Sequence, residues 1–154
     1  LESLYQIKKN YNLNLKYAIL GNGPELSRLK DLVMKYNLLK QVSFIEENAQ
    51  SSKIYSLSKI HIMPTVTTPQ SIEGFGIANV EAAAFGLPCI VSDSGGTAES
   101  INDNGKMIKE NNLIDLSNAI LEVIENSSKY SKKSYQFAKR FENKKKIREY
   151  LNSF

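Results

Sequence analysis

Residues 60–96, IHIMPTVTTPQSIEGFGIANVEAAAFGLPCIVSDSGG, contain the pattern that decides the fold. The apolar run 60–63 is stopped by a proline and predicts a short strand. The segment 77–85 predicts a helix, and the glycine that follows it is typical of the residue after a last helical turn. The run 88–91 predicts a second strand. A strand, a helix and a strand in this order form a βαβ unit, so we expect the two strands to be parallel.

The same alternation continues on both sides of this stretch. Apolar runs predict further strands at 15–21, 42–45 and 106–109. Apolar residues at helical spacing predict helices after Pro24, at 51–58 and at 113–124, and two polar helices at 129–140 and 142–152. The polar stretch 126–134 is interpreted as a hinge or loop between helices. These elements predict an α/β fold, a Rossmann-like parallel sheet sandwiched by helices.

Length and composition indicate an ordinary globular domain. The chain has 154 residues, 42% hydrophobic and 23% charged, with one cysteine and no tryptophan. We therefore expect one domain over 1–154 that folds without disulfides, and no apolar run is long enough to span a membrane. The single Cys89 fits a reducing, cytoplasmic setting and, like His61, is interpreted as a structural residue.

Positive charge is concentrated near the end of the chain. Residues 129–149 hold nine basic and two acidic side chains, a net charge of +7 within a chain of +4. Two interpretations stay open: a solvated helix face, or a peripheral contact with an anionic membrane surface. Aromatic residues are scattered and form no stacking platform, so nucleic acid is not expected as a partner.

Ligands of open parallel sheets bind beyond the carboxyl ends of the strands, so the loops there are the candidate site. The loop before 77–85 contains Gly74 and Gly76, which let backbone amides approach a ligand, and the helix start adds further unpaired amides. Glu73 and Glu81 flank these anion-binding amides with carboxylates suited to sugar hydroxyls. This combination indicates a nucleotide sugar. The alternative, exposed acids with no ligand, stays open on spacing alone.

The segments EGFGIANVEA (73–82) and AFGLPCIVSDSGGTAESI (84–101) resemble the signature of retaining glycosyltransferases of family four, which have the two-domain GT-B fold. Glu73 and Glu81 match the family's Glu-x7-Glu acid pair. The stretch 21–24 resembles the family's glycine loop, and 42–45 its strand before the base-binding loop. The resemblance implies the C-terminal, donor-binding half of a GT-B fold.

The resemblance also implies roles for matched residues. Glu73 is the catalytic-site acid that contacts the donor sugar, and Glu81 binds the ribose hydroxyls. The other implied donor-binding residues belong to the two glycine turns, the strand ends and the helix start: Gly21, Gly23, Ile45, Glu46, Gly74, Phe75, Gly76, Ile77, Gly95, Gly96 and Thr97. The implied reaction transfers a sugar from a nucleotide diphosphate with retained configuration, and needs no metal and no other cofactor.

Two departures from the family pattern shape the expectation. None of the three arginines, Arg28, Arg140 and Arg148, takes the position of the family's diphosphate-binding arginine, and Asn79 replaces a residue that is more often apolar or small. We therefore interpret the chain as a donor-binding domain truncated at its N-terminus, without the acceptor-binding domain and inactive alone. The alternatives are another GT-B activity, such as a sugar-nucleotide epimerase, and a non-catalytic α/β nucleotide-binding or regulatory module.

Overall fold

The structure is a computed structural model that describes residues 1–45 and 51–141. The chain divides into two compact units, Leu1–Ile54 and Tyr55–Phe154. Each unit has its own parallel sheet flanked by helices, and each is described in turn.

The first unit contains two helices and a two-stranded sheet. In chain order these are α1 (Glu2–Tyr11), β1 (Tyr17–Leu20), α2 (Leu26–Lys35) and β2 (Val42–Ile45). The strands are parallel, in a register that pairs Tyr17 with Val42 and Leu20 with Ile45. Helix α3 (Ser51–Leu57) contains the boundary between the units.

The core of the first unit joins one face of each helix to the sheet. Buried side chains from α1, α2 and β2 form one cluster around Leu38, which has no exposed surface: Leu4, Val33, Leu38 and Val42. Tyr5 and Tyr36 stack beside this cluster with their ring centroids 5.1 Å apart. Helix α1 was not predicted from the sequence, although Leu4 and Ile7 lie one turn apart and are buried.

The second unit contains a three-stranded parallel sheet and the remaining helices. In chain order these are β3 (His61–Met63), α4 (Ile77–Ala84), β4 (Cys89–Ser92), β5 (Gly105–Ile108), α5 (Leu113–Glu125) and α6 (Ser127–Ala138). Short 3-10 turns follow at Thr97–Ser100 and Lys139–Phe141. The strand order is β3-β4-β5, so β4 is the central strand.

Strand β4 explains why the segment 88–91 is a continuous apolar run. All four of its residues are buried, because the strand is paired on both edges and covered on both faces. Burial raises the pKa of the Cys89 thiol to about 12, and its sulfhydryl faces the Asn79 carbonyl oxygen at 3.3 Å. The structural interpretation of Cys89 is therefore confirmed.

Helix α6 corrects one prediction. The stretch 126–134 is not a loop or hinge: the chain turns at Asn126 and helix α6 starts at Ser127. The stretch is polar in composition, but Tyr130, Ser134 and Phe137 recur at helical spacing and are buried, so the helix has one face in the core. Phe137 packs with Ala83 of α4 in a common cluster.

The other predicted elements that fall on described residues are present, and none of their ends is shifted by more than two positions. Among the described residues, hydrogen bonds join the parallel strands as β1-β2 in the first unit and β3-β4-β5 in the second. Strand β3 has three residues and pairs with β4. The helix predicted at 142–152 lies outside the described residues. Within those residues, we find no helix of the length and apolarity that a bilayer crossing requires.

Candidate functional site

The loop between β3 and α4 carries the first acid of the predicted pair. The Glu73 carboxylate accepts a hydrogen bond from the Gly76 amide at 3.0 Å. The Glu73 carbonyl oxygen accepts another from the Gly96 amide at 2.8 Å. The acid is therefore fixed by its own loop and by the second glycine turn.

The start of helix α4 is an anion-binding geometry. Gly76 has a left-handed backbone (φ 81°) and no side chain to cap the helix, so the amides of Ile77 and Ala78 have no capping partner, whereas the Asn79 amide donates to the Gly76 carbonyl oxygen at 2.9 Å. Glu73 already places a carboxylate oxygen on the Gly76 amide. Phe75 is half-buried and contacts the Phe141 ring, with centroids 6.1 Å apart, whereas Ile77 is exposed.

The second acid, Glu81, is exposed on helix α4 beside a tyrosine that the sequence pattern does not single out. The Tyr55 hydroxyl lies 3.5 Å from a Glu81 carboxylate oxygen and 3.5 Å from the Ala78 carbonyl oxygen. Burial, followed by the negative charge of Glu81, raises the pKa of Tyr55 to about 12. The hydroxyl is therefore protonated at neutral pH and donates toward the carboxylate.

The second glycine turn (94–97) is packed against the loop that carries Glu73. A Cβ added to Gly96 would overlap the Gly74 carbonyl oxygen, and one added to Gly95 would overlap the Glu73 carbonyl oxygen. The Thr97 side chain is fully buried: its hydroxyl donates to the Ser92 carbonyl oxygen at 2.5 Å and accepts from the Ser94 amide at 3.3 Å. In this geometry Thr97 shapes the turn, and its hydroxyl is engaged inside it.

A buried polar chain connects helix α4 to this turn. The Asn79 amide donates to the Ser100 hydroxyl at 2.6 Å, and that hydroxyl donates to the Thr97 carbonyl oxygen at 2.7 Å. Asn79 is fully buried, so the residue that departs from the family pattern has a structural function here. Burial lowers the pKa of the neighbouring His61, so its ring is neutral at pH 7.

The predicted residues of the first unit lie at the carboxyl edge of its sheet. Gly21 directly follows β1 and its amide donates to the carbonyl oxygen of Ile45, the last residue of β2, at 3.1 Å. A Cβ at Gly21 or Gly23 would meet no atom within 4 Å, so the backbone there is open to a ligand. Glu46 lies outside the described residues.

The arrangement supplies backbone amides for an anion and carboxylates for hydroxyl groups. In the second unit, Glu73, Gly74 and Gly76 are brought together with Gly95 and Gly96 by hydrogen bonds and close backbone packing. Among the described residues, no group of three or more His, Cys, Asp or Glu side chains has the spacing to hold a metal ion. Backbone amides suit an anion and carboxylates suit hydroxyl groups.

Sequence comparison finds the profile described as "Glycosyl transferases group 1" over residues 1–148. An uncharacterized glycosyltransferase of Haemophilus influenzae is 31% identical over 126 residues, which cover 80% of this chain and 34% of that protein. A probable sucrose-phosphate synthase of Vicia faba is 33% identical over 111 residues, 70% of this chain and 10% of that protein. The chain thus spans between a tenth and a third of the length of these relatives.

Structure comparison finds the same fold in larger proteins. The pneumococcal O-GlcNAc transferase GtfA, solved with UDP and GlcNAc, matches with a TM-score of 0.78 and 22% identity over 99% of this chain and 31% of that one. Anabaena HepE, solved with UDP and glucose, matches with a TM-score of 0.76 and 20% identity over 99% of this chain and 44% of that one. The predicted α/β, Rossmann-like fold of GT-B type is confirmed, and the chain belongs to the glycosyl transferases group 1 family.

Proposed function

We propose that the chain binds the nucleotide-diphosphate sugar donor of a retaining glycosyltransferase. The observation that carries this proposal is the contact between the Glu73 carboxylate and the Gly76 amide at the start of α4. It supports an amide site that accepts an anion, next to a carboxylate suited to hydroxyl groups. UDP in the solved relatives GtfA and HepE supports a nucleotide as the ligand class.

In the proposed complex, the Glu73 carboxylate leaves the Gly76 amide for the donor sugar, and the amides of Gly74, Phe75 and Gly76 hold the sugar or the distal phosphate. Glu73 accepts hydrogen bonds from the donor sugar, and Glu81, oriented by Tyr55, accepts those of the ribose. Gly21, Gly23 and Ile45, at the carboxyl edge of the first unit's own sheet, are proposed to bind the nucleotide. Gly95 and Gly96 allow the second turn to support the Glu73 loop.

Catalysis then consists of positioning and of charge stabilisation. The bond between the anomeric carbon and the diphosphate breaks through an oxocarbenium-like state, and the acceptor hydroxyl attacks on the same face. Its proton passes to the departing phosphate oxygen, and the anomeric configuration is retained. Amides that already face an anion stabilise the charge that develops on the leaving diphosphate without reorganising. No metal takes part in this proposal. The acceptor is bound by a further domain, and the product is a cell-surface polysaccharide, lipopolysaccharide or glycolipid made on the cytoplasmic side.

The test is calorimetric titration of the chain with UDP, GDP and ADP. We expect one nucleotide to bind with an affinity between about 1 mM and 1 µM, or about −4 to −8 kcal/mol. Glu81→Ala should abolish measurable binding or weaken it strongly, and Tyr55→Phe should weaken it less because the carboxylate remains. Glu125→Ala removes an exposed acid of α5 and is the matched control.

Equal affinity of Glu81→Ala and Glu125→Ala would contradict the assignment of Glu81. Absence of binding, both by the chain and by a version extended upstream, would contradict the proposed function. That result would favour a non-catalytic regulatory module that binds no nucleotide.

We also propose that the basic segment 129–149 contacts an anionic membrane surface. In the described part of this segment, Lys129, Lys132 and Lys139 are exposed, whereas Lys133 pairs with Asp103 at 2.6 Å. Charge reversal of the three exposed lysines to Glu should release the chain from anionic vesicles. Reversal of three exposed lysines of the first unit, Lys9, Lys30 and Lys40, is the control with an equal change of charge. If both variants are released from the vesicles to the same extent, the attraction depends only on total charge, and the 129–149 segment is not a specific contact.

A further inference from the structure

Three polar side chains that the proposed function does not use meet at the carboxyl edge of the second sheet. Thr67 follows β3, Ser94 follows β4 and Glu110 follows β5. Because the strands are parallel and adjacent in the order β3-β4-β5, the residues after their ends lie at one edge. The sequence gives no sign of this cluster, since its members are separated by 27 and 43 positions from Thr67.

The cluster is joined by three hydrogen bonds. The Glu110 carboxylate accepts from the Thr67 amide at 3.1 Å and from the Thr67 hydroxyl at 2.5 Å. The Thr67 and Ser94 hydroxyl oxygens are 2.8 Å apart. An ionised carboxylate only accepts, so the Thr67 proton is directed to Glu110 and the Ser94 hydroxyl donates to Thr67. Ser94 is 2% exposed, which makes it the buried end of the chain of bonds.

The electrostatics agree with this direction of donation. The hydrogen bonds from the Thr67 hydroxyl and amide lower the pKa of Glu110. The carboxylate is therefore ionised at neutral pH and both of its oxygens accept. Glu110 binds both the backbone amide and the side-chain hydroxyl of Thr67. These two bonds fix the orientation of the Thr67 backbone as well as its position.

Thr67 lies in the loop that carries Glu73. After Thr67 the chain makes a tight turn, in which the Thr68 amide donates to the Ser71 carbonyl oxygen at 2.9 Å and the Ser71 amide returns a bond at 3.2 Å. Glu73 follows two residues later, supported on its far side by the Gly96 amide. The loop is thus held at its start by Glu110 and at its end by the second glycine turn.

We propose that Glu110 is a positioning residue of the donor site, which anchors Thr67 and thereby sets where the 64–76 loop presents Glu73 to the donor sugar. This inference rests on the proposed function. Glu110 is outside the loop and binds Thr67 through two hydrogen bonds, and the Ser94 hydroxyl completes the cluster. Because the anchor is at the surface, its loss should change the loop locally and leave global stability close to that of the parent.

The test uses four variants of the chain: Glu110→Ala, Thr67→Val, the conservative Thr67→Ser, and Glu125→Ala as the control acid. Hydrogen exchange is measured in peptides that cover 64–76, and calorimetry gives the affinities for UDP and UDP-glucose. Glu110→Ala and Thr67→Val should raise exchange around Thr67 about tenfold. They should weaken UDP-glucose about tenfold and UDP about twofold, because Glu73 contacts the sugar and Glu81 the ribose. Thr67→Ser and Glu125→Ala should match the parent chain.

If hydrogen exchange around Thr67 is unchanged in both Glu110→Ala and Thr67→Val, Glu110 does not anchor the loop. This conclusion holds whatever the nucleotide affinities of the variants are. Raised exchange with an unchanged ratio of the two affinities overturns the positioning role, because a merely structural bond would give that pattern. If the chain prefers GDP or ADP, that nucleotide and its glucose conjugate replace UDP and UDP-glucose in this test. If the parent chain and an upstream-extended version bind none of UDP, GDP and ADP, the proposed function fails and this inference fails with it. In that case the exchange data still decide whether Glu110 holds the loop.

Discussion

The two glycine turns of the molecule look alike in sequence but have opposite surroundings. The turn at 21–23 follows β1, and a Cβ at Gly21 or Gly23 would meet no atom within 4 Å. The turn at 94–97 follows β4, and a Cβ at Gly95 or Gly96 would overlap a backbone carbonyl oxygen of the Glu73 loop. Glycine after a strand therefore leaves room for a ligand in one unit and for the protein's own backbone in the other.

The difference separates direct binding from support. In the open turn, added side-chain volume would occupy space that a ligand can use. In the crowded turn, it would displace the loop that carries Glu73, because the Gly96 amide and the Glu73 carbonyl oxygen are hydrogen-bonded at 2.8 Å. The two turns should consequently respond to the same substitution in different assays.

The largest expected effect is that of Gly96→Ala. The added methyl group would overlap the Gly74 carbonyl oxygen, which is backbone and cannot rotate away. We expect the free energy of unfolding to fall by about 2 to 3 kcal/mol, the cost of overpacking a fixed site. Urea denaturation measures this free energy. Stability equal to that of the parent chain would show that the turn has room for a methyl group.

Thr97→Val should have the next largest effect on stability. It keeps the volume of the buried side chain but removes the hydroxyl that bonds the Ser92 carbonyl oxygen and the Ser94 amide. We expect a loss of about 1 to 2 kcal/mol, because two buried polar groups lose a partner. Thr97→Ser, which keeps the hydroxyl, is the matched control, and an equally large loss in it would assign the effect to packing.

Gly23→Ala should change stability by less than about 0.5 kcal/mol, since the surrounding space is open. The same substitution should weaken nucleotide binding severalfold if the 21–23 turn lines the nucleotide. Gly74→Ala, whose Cβ would also meet nothing within 4 Å, should behave in the same way. Calorimetry with the preferred nucleotide measures these affinities. Unchanged affinity in both variants would show that these glycines do not contact the nucleotide.

The smallest expected effect is a pH dependence of the loop itself. Hydrogen bonds from Thr67 lower the pKa of Glu110 below its usual 4.5, so the anchor is complete above that pH and is lost as pH falls through the lowered value. Exchange of the Thr67 amide, corrected for its intrinsic pH dependence, should rise across that range. Glu110→Gln should show no such rise, because its side chain does not titrate. The Gly96 amide is an internal control, because it donates to the Glu73 backbone carbonyl oxygen, which does not titrate either.

Much of the fold follows from patterns that are local in sequence. The apolar run of β4, the proline after β3 and the glycine after α4 locate these elements within two residues. Helix α1 and the start of α6 were missed because their buried residues are few and are embedded among lysines and serines. Burial at Tyr130 and Phe137 depends on packing against other elements, which composition does not reveal.

The candidate site was predictable only in part, for a similar reason. Glu73, Gly74 and Gly76 are neighbours in sequence, so their motif alone is enough to place them together. Tyr55 beside Glu81 and Glu110 beside Thr67 are brought together by the order of the strands and the course of a long loop. Asn79 shows the same dependence, since its bond to Ser100 spans 21 positions.

The single cysteine has a practical consequence for spectroscopy. Thiol-reactive dyes and spin labels attack the thiolate, and Cys89 is both buried and protonated far above neutral pH. A cysteine introduced at an exposed position, such as Gln70 in the 64–76 loop, would therefore be the only site labelled. The chain can carry one fluorophore on the loop that holds Glu73 without first being made cysteine-free.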